Sequence, residues 1–389
     1  MTMVFKIACK STVFFAIVQI FSQKQKINLY VSKKSCNFAR FIMDLLSKHI
    51  VTSLCLLFGT FYMRAAITPW NGSTKVVTPD GNVYSVSTAG ELAWIAESSK
   101  TNDFTGKIVR LTEDIDLGGA LGTPQKWTPI GTAALPFNGK FDGDNHVIYN
   151  MYILSSFPDG AGLFAQTGSD AEIHNLGIAQ GKIMTDQTSN VGGIVGVNRG
   201  TIHHCFNMIQ IIAQEGDSVG GLVGANYGTI RYAYNAGIIT DANNDVGGLV
   251  GHNYSSAVLE NCYNMGYCKG SNHVGALFGT NEAPESNLTK VFFDQQLTRM
   301  YATGHGAADP IMTDNTKYAI IKSETFINAS PFAQDNEWEG TSAGHKSHPQ
   351  LTCFKNHVAS QTSVIAIWLA ANSLPIMRAE GGWNAGGRK

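Results

Sequence analysis

Two sets of acidic residues lie close enough together in the chain to supply a reaction centre. They comprise Glu113, Asp114, Asp116, Asp142 and Asp144. Paired carboxylates can act as the acid and the base of a glycosidase, or they can bind Ca²⁺ through their oxygens. The second set lies in the run Asp-Gly-Asp-Asn, which is typical of a turn, because short polar side chains bond to the nearby backbone there. We interpret it as a turn, with a catalytic pair and a cation site as the alternatives.

Other reactive motifs are incomplete. Ser342 lies in a G-x-S-x-G pattern, but a nucleophile elbow needs a strand-to-helix turn, and His345 and Pro349 follow instead of a helical pattern. None of the 11 His residues is followed by Glu, so the H-E-x-x-H motif of zinc proteases is absent. His203 and His204 are adjacent in a predicted strand, where neighbouring side chains face opposite sides, so we expect them not to share a metal ion. We predict no catalytic residue, no bound metal and no cofactor.

A repeat of 27 or 28 residues determines the elements that position these side chains. The chain reads VGGIVGVNRGTIHHCFN from Val191, VGGLVGANYGTIRYAYN from Val219 and VGGLVGHNYSSAVLENCYN from Val246. A partial copy, VGALFGTN, begins at Val274, and a degenerate copy, AGLFAQ, begins at Ala161. A constant step of this length indicates a repeat architecture.

Each unit contains three short apolar segments separated by Gly and Asn, which are 193–196, 201–206 and 209–213 in the first copy. They lack the i, i+3, i+4 spacing of amphipathic helices. Short strands can bury a hydrophobic face here only by pairing with their counterparts one coil away, at about 4.8 Å. We therefore predict an all-β fold, a right-handed parallel β-helix with a short N-terminal capping helix and an irregular C-terminal region.

Repeated polar residues fall into columns of this predicted solenoid. One column holds Asn198, Asn226, Asn253 and Asn281, and a second holds Asn207, Asn235 and Asn264. Asn tolerates left-handed backbone, and its amide can bond to the copies above and below. We predict structural ladders, with a ligand-binding row of Asn as the alternative.

Two of the four Cys residues that follow the first 66 residues share another column. Ala233 separates Cys205 from Cys262, so two coils place the thiols about 10 Å apart, too far for a disulfide. We predict buried free thiols.

Positions that differ between copies are the candidates for binding. Arg199, Tyr227 and Tyr254 occupy one such column, and Arg231 lies in another, between His203 and Glu260. Varying side chains on a constant scaffold form the binding face of a solenoid. The candidate ligand-binding residues are therefore Tyr227, Tyr254, Arg199 and Arg231, and the two Tyr rings could hold a sugar or a peptide.

The repeat unit resembles the GLUG motif of bacterial surface proteins. Segments around it resemble the flanks of the same proteins, namely residues 87–97, 104–117, 127–131, 137–153, 290–296 and 348–354. This motif occurs in adhesin-like proteins of gut Bacteroidetes and beside the catalytic part of IgA-specific metallopeptidases. The resemblance implies a non-catalytic scaffold, and the missing H-E-x-x-H motif means that peptidase activity does not carry over.

The first 66 residues differ from the rest of the chain. We interpret 1–66 as a mis-called start followed by a signal peptide near 43–66, because basic residues precede the short apolar run 50–63 and Ala65 and Ala66 follow it. A membrane anchor is the alternative. Export implies an extracellular or cell-surface location.

The remaining boundaries follow from the repeat. Residues 67–105 form a predicted N-terminal cap, in which Thr88 and Glu91 begin a short helix. The β-helix spans 106–295. Residues 296–389 form a C-terminal cap or linker, with an apolar segment at 363–371.

Charge limits the partners of this protein. The chain has 28 basic and 29 acidic side chains, and residues 1–66 hold nine of the basic and one of the acidic ones. The mature part therefore carries 19 basic and 28 acidic side chains, a net charge of −9. An acidic surface disfavours nucleic acids and anionic lipids.

We expect a monomer that binds a host or matrix glycan or protein and meets a membrane only through export or anchoring. The alternatives are a polysaccharide-active enzyme and the scaffold fragment of a larger surface protein.

Overall fold

The structure is a computed structural model that comprises two compact units, Met1–Ala66 and Ile67–Lys389. The residues it describes are 2–9, 12–19, 28–30, 67–119, 122–298, 300–306, 319–320, 332, 335–339 and 348–354. In the first unit, strands β1 (Thr2–Cys9), β2 (Thr12–Gln19) and β3 (Asn28–Tyr30) form an antiparallel sheet in that order. The predicted signal peptide lies outside the described residues, as do Ser342 and the apolar segment 363–371.

The second unit is a parallel β-helix of about eight coils, as predicted from the repeat. Its first elements are β4 (Val83–Val86), α1 (Ala89–Ser98), β5 (Ile108–Leu111), β6 (Ile115–Asp116), β7 (Lys140–Tyr149), β8 (Tyr152–Leu154), β9 (Phe164–Gln166), β10 (Glu172–Ala179) and β11 (Lys182–Asp186). The first two repeats form β12 (Val191–Gly192), β13 (Val195–Asn198), β14 (Thr201–Asn207), β15 (Gln210–Gln214), β16 (Val219–Gly220), β17 (Val223–Asn226), β18 (Thr229–Asn235) and β19 (Ile238–Ala242).

The later repeats and the C-terminal region continue this order. Their elements are β20 (Val246–Gly247), β21 (Val250–Asn253), β22 (Val258–Asn264), β23 (Cys268–Gly270), β24 (Val274–Gly275), β25 (Phe278–Asn281), β26 (Leu288–Asp294), α2 (Gln295–Thr298), β27 (Thr303–Gly306), β28 (Ala319–Ile320), β29 (Trp338–Glu339) and β30 (Gln350–Leu351). Short 3-10 turns occupy Glu285–Asn287 and Thr352–Phe354. Strands β27 and β28 extend two of the sheets beyond residue 295.

Each full repeat contributes four strands rather than the predicted three, because Val191–Gly192, which precedes the predicted segment 193–196, forms a strand of its own, and the chain bends after it. Val191–Gly192 joins a four-stranded sheet, whereas Val195–Asn198 joins a six-stranded one. The bend lies at Gly193, where a Cβ atom would meet the Asn207 side chain at 2.4 Å. The other two strands of the repeat join the ten-stranded and the five-stranded sheets. A glycine is required at the bend because the amide of Asn207 occupies the space of a side chain.

The interior is built from stacked columns of apolar side chains. Ile194, Leu222, Leu249 and Leu277 are equivalent in successive coils, and all are 0% exposed. Strands pair in parallel without a register shift from β13 to β25, since equivalent residues lie opposite each other. A constant step therefore gives a continuous core, in which each coil buries the apolar face of the next.

Helix α1 begins with the capping box that the sequence predicted. The Thr88 side chain accepts from the backbone N–H of Glu91, and the Glu91 carboxylate accepts from that of Thr88. Leu92 and Ile95 are fully buried against the first strands. The helix thereby covers apolar surface at the N-terminal end of the solenoid.

An aromatic column on the outer face of the ten-stranded sheet is covered by the C-terminal region. The rings of Phe206 and Tyr234 lie 5.3 Å apart, and those of Tyr234 and Tyr263 lie 5.0 Å apart. Trp338 and Phe354 pack on this column, and both are buried. The described residues of the C-terminal region therefore cover a lateral face of the solenoid, where outward aromatic side chains would otherwise meet water.

Candidate functional site

The two Asn columns lie inside the solenoid and bond from coil to coil. In the first column, the Asn198 amide donates to Asn226 at 2.9 Å, Asn226 to Asn253 at 3.1 Å and Asn253 to Asn281 at 2.8 Å. The second column repeats this pattern at 3.0 Å, from Asn207 through Asn235 to Asn264. All seven side chains are buried. Their position gives them no access to a ligand in solution.

The Asn ladders do not have left-handed backbone. None of the ladder residues has a positive φ, whereas the residues of one column in the ten-stranded sheet have positive φ angles. Its members are Asn175, His204, Tyr232, Asn261 and Lys290, with φ between 46° and 53°. The ladder Asn residues are held in extended strands, so side-chain bonding alone accounts for their repetition.

The candidate residues Tyr227 and Tyr254 form a stacked pair where β17 and β21 end. Their ring centroids lie 3.9 Å apart, with 12° between the ring planes. The backbone N–H of Tyr227 donates to Asn198, and that of Tyr254 donates to Asn226, so the coil register aligns the rings. Tyr227 is 36% exposed.

Neighbouring side chains cover the outer faces of this pair. The guanidinium of Arg199 lies 5.3 Å from the Tyr227 ring centroid, and the His252 ring stacks on Tyr254 at 4.1 Å. A six-membered ring has room for one stacked partner on each face, so Arg199, Tyr227, Tyr254 and His252 form one continuous stack. We call these four residues the aromatic stack. Its ring faces are occupied.

Arg231, the fourth candidate, lies apart from the aromatic stack. It occupies β18, where its register partners are His203 on one side and Glu260 on the other. The structure thus brings three of the four candidate ligand-binding residues together. Arg231 is exposed on the ten-stranded sheet, away from the other three.

The acidic residues of the sequence motifs bond to nearby backbone groups and to side chains of neighbouring coils. Asp142 is 8% exposed, pairs with Arg110 at 2.9 Å and accepts from the backbone N–H of Asp144. Asp114 accepts from the backbone N–H of Val147. These contacts give the carboxylates a structural role. The Asp-Gly-Asp-Asn run lies inside β7 and is not the predicted turn, because left-handed backbone at Asp144 and Asn145 forms a bulge that shifts the register with β10.

His203 and His204 face the same side of the sheet, contrary to the prediction. Their Nδ1 atoms lie 2.9 Å apart. The strand bends at His204, which has a φ of 52°, so both imidazoles are half-buried on the outer surface while Ile202 and Cys205 face the core. The period-two alternation of a strand fails at a left-handed residue.

A polar cluster around Asp245 was not found from the sequence. One carboxylate oxygen of Asp245 accepts from Thr280 at 2.6 Å and contacts His273 at 2.8 Å, while the other contacts His252 at 3.2 Å. His252 also contacts Glu282 at 2.9 Å. The step between Asp245 and His273 is one coil, so the repeat period would have placed them side by side.

Charge explains the protonation of this cluster. Burial opposes the charged form of Asp245, but hydrogen bonds from His252, Thr280 and His273 outweigh it and hold its pKa below the usual range. Burial also opposes the charged form of His252, yet its bonds to Asp245 and Glu282 raise its pKa. The cluster therefore favours an imidazolium between two carboxylates.

Comparison with protein families, curated proteins and solved structures found no match. Within the described residues, no group of three or more His, Cys, Asp or Glu side chains is arranged to hold a metal ion. None of the helices in the described part of the chain is long and apolar enough to cross a membrane. The arguments about function therefore rest on the fold and the side chains described above.

Proposed function

We propose that this chain is an exported, non-catalytic surface protein whose β-helix presents a binding face for a glycan or protein ligand, as an adhesin does. The observation that carries the proposal is the aromatic stack, which lines up variable side chains in register on a scaffold of buried, bonded columns. The basic and apolar pattern of the first 66 residues and the resemblance to GLUG-motif surface proteins support export.

The contacts of the aromatic stack favour one way of recognising a ligand. Because the ring faces are covered, a sugar has no open face on which to stack. Burial and the hydrogen bond with Tyr227 raise the pKa of Tyr254, so its hydroxyl stays protonated. The bond between the two hydroxyl groups uses one of their two protons and leaves the other proton and the remaining lone pairs for a ligand. We infer recognition through hydroxyl groups and the adjacent Arg199, as suits a hydroxyl-rich or acidic glycan.

A binding array of glycans and matrix proteins tests this proposal on the purified full chain. We expect at least one ligand that the Y227F/Y254F variant binds more weakly, because the phenyl rings keep the stack but lose the hydroxyl groups. The matched control is Y301A, which removes a 41% exposed tyrosine outside the stack. Equal binding by wild type, control and Y227F/Y254F to every ligand would exclude the stack as the binding face.

An assay for glycan depolymerisation separates this proposal from an enzyme on the same fold. The carboxylate of Asp142 is engaged by Arg110 and lies 3.5 Å from His174, so it is poorly placed to exchange protons with a substrate. We expect intact glycans after incubation with the full chain. Shortened products that disappear with D142N would overturn the non-catalytic assignment.

A further inference from the structure

The paired imidazoles of His203 and His204 have three polar contacts. The Nε2 atom of His203 lies 3.1 Å from the Glu172 carboxylate, and that of His204 lies 3.2 Å from the Glu337 carboxylate. The third contact is the Nδ1–Nδ1 contact at 2.9 Å. Each contact needs one proton to be a hydrogen bond, but two neutral imidazoles carry only two protons.

The two protons belong on the outer contacts. The Glu172 carboxylate also pairs with the Lys140 ammonium at 2.6 Å, and a carboxylate can only accept hydrogen bonds. The Nε2 atom that faces each carboxylate must therefore carry the proton. With Nε2–H directed to a carboxylate on each side, both Nδ1 lone pairs face the same short gap. Two acceptors at this distance repel each other unless a cation lies between them.

We propose that the Nδ1 atoms of His203 and His204 form a two-nitrogen binding site for a divalent transition-metal ion, with Cu²⁺ bound most tightly. Carboxylates behind metal-bound imidazoles fix the tautomer and orient the rings, and Glu172 and Glu337 are placed to do this. The ring of Tyr232 stacks on His204 at 4.9 Å and restrains its plane. Both rings are partly exposed, so water can supply the remaining ligands.

The distance between the two nitrogens fits one coordination geometry better than another. At a metal–nitrogen distance of about 2.0–2.1 Å, a separation of 2.9 Å corresponds to an N–metal–N angle of about 90°. That angle suits neighbouring positions of the tetragonal geometry preferred by Cu²⁺ and Ni²⁺. Tetrahedral Zn²⁺ would need nitrogens about 3.3–3.4 Å apart. This geometry and the general order of affinity for nitrogen ligands both predict that Cu²⁺ binds more tightly than Ni²⁺ and Zn²⁺.

Titration of the full chain with Cu²⁺ tests the site, with calorimetry and electron paramagnetic resonance as readouts and a purification tag free of histidine. We expect one tight Cu²⁺ with two imidazole nitrogens. That binding is lost in H203Q and in H204Q. The matched control is H273Q/H305Q, which removes the other stacked pair of imidazoles, with ring centroids 4.6 Å apart. Loss of tight Cu²⁺ in this control, with retention in H203Q and H204Q, would overturn the proposal.

A second variant tests the site without altering either imidazole. Glu337 is half-exposed, so E337Q should leave the fold intact and weaken Cu²⁺ binding by about 10–100-fold through loss of the orienting carboxylate. Unchanged affinity in E337Q, together with Zn²⁺ binding as tight as Cu²⁺ in wild type, would contradict the proposed geometry. Circular dichroism of every variant confirms that the solenoid is folded.

Discussion

His348 and Asp294 form a buried pair that joins the C-terminal region to the solenoid. The Nε2 atom of His348 lies 2.7 Å from a carboxylate oxygen of Asp294, and their side chains are 4% and 0% exposed. The hydroxyl group of Tyr263 donates to the backbone carbonyl of Pro349 beside this pair. The lateral cover of the aromatic column is therefore fastened by polar contacts at the point where β26 ends.

Removing one member of this pair should destabilise the chain strongly. D294A leaves the buried imidazole without its carboxylate and frees the backbone N–H of Leu297, so we expect a loss of about 3–5 kcal/mol in the free energy of unfolding. Urea unfolding followed by tryptophan fluorescence measures this, because Trp338 lies in the covering segment. The control E97A removes an exposed pair with Lys100 and should change stability by less than about 1 kcal/mol. Similar effects of both variants would contradict a stabilising role for the buried pair.

The Asn ladder should be sensitive at its centre. N226A removes an amide that accepts from Asn198 and donates to Asn253, so a buried donor and a buried acceptor each lose a hydrogen bond. Each such loss costs about 1–3 kcal/mol, so the thermal midpoint should fall clearly. The matched control is N272A, which removes an exposed amide that donates to Asn244. Equal thermal midpoints for N226A and N272A would show that the ladder does not stabilise the fold.

The Asp245 cluster makes stability depend on pH in two directions. The pKa of His252 is raised in the folded chain, so its contribution is complete below the unfolded pKa and is lost as pH rises through the folded pKa. The pKa of Asp245 is lowered, so its contribution is present above the unfolded pKa and is lost as pH falls through the folded one. His273, Thr280 and Glu282 are the other polar groups that face this pair.

The H252Q variant tests the loss of stability that is expected as pH rises. Wild type should lose more thermal stability than H252Q between about pH 6 and pH 9, since only wild type releases the stabilised proton. The difference between the two curves is the observable, because His174, His203 and His204 have lowered pKa values and act in the opposite sense. Parallel curves for the two proteins would rule out a stabilising imidazolium at His252.

The thiols of the solenoid should be unreactive in the folded chain. Cys205, Cys262 and Cys268 are free and buried, and burial raises the pKa of Cys262 and Cys268 to about 12. The thiolate is the reactive form, so iodoacetamide should label none of the three in native buffer and all three in urea. Peptide mass spectrometry gives the answer site by site, and labelling of Cys205 in the native chain would show that the coils open.

Much of the fold follows from the repeat step alone. Because parallel strands one coil apart must pair residue with residue, the 27- or 28-residue step determines which side chains stack, including the Asn columns and the Tyr227–Tyr254 pair. The same step aligns the core column of Ile194, Leu222, Leu249 and Leu277. These features are local or strictly periodic, so one sequence contains them.

Other features depended on the tertiary structure. The left-handed backbone at His204 brings neighbouring imidazoles together, although alternation along a strand predicts that they diverge. Arg199 and His252 close the faces of the Tyr pair, and only their packed positions reveal this. The covering segment with Trp338 and His348 lies far along the chain from the β-strands that it contacts. The sequence by itself therefore determined the solenoid and its columns, whereas bends and contacts outside the period decided which side chains meet at the surface.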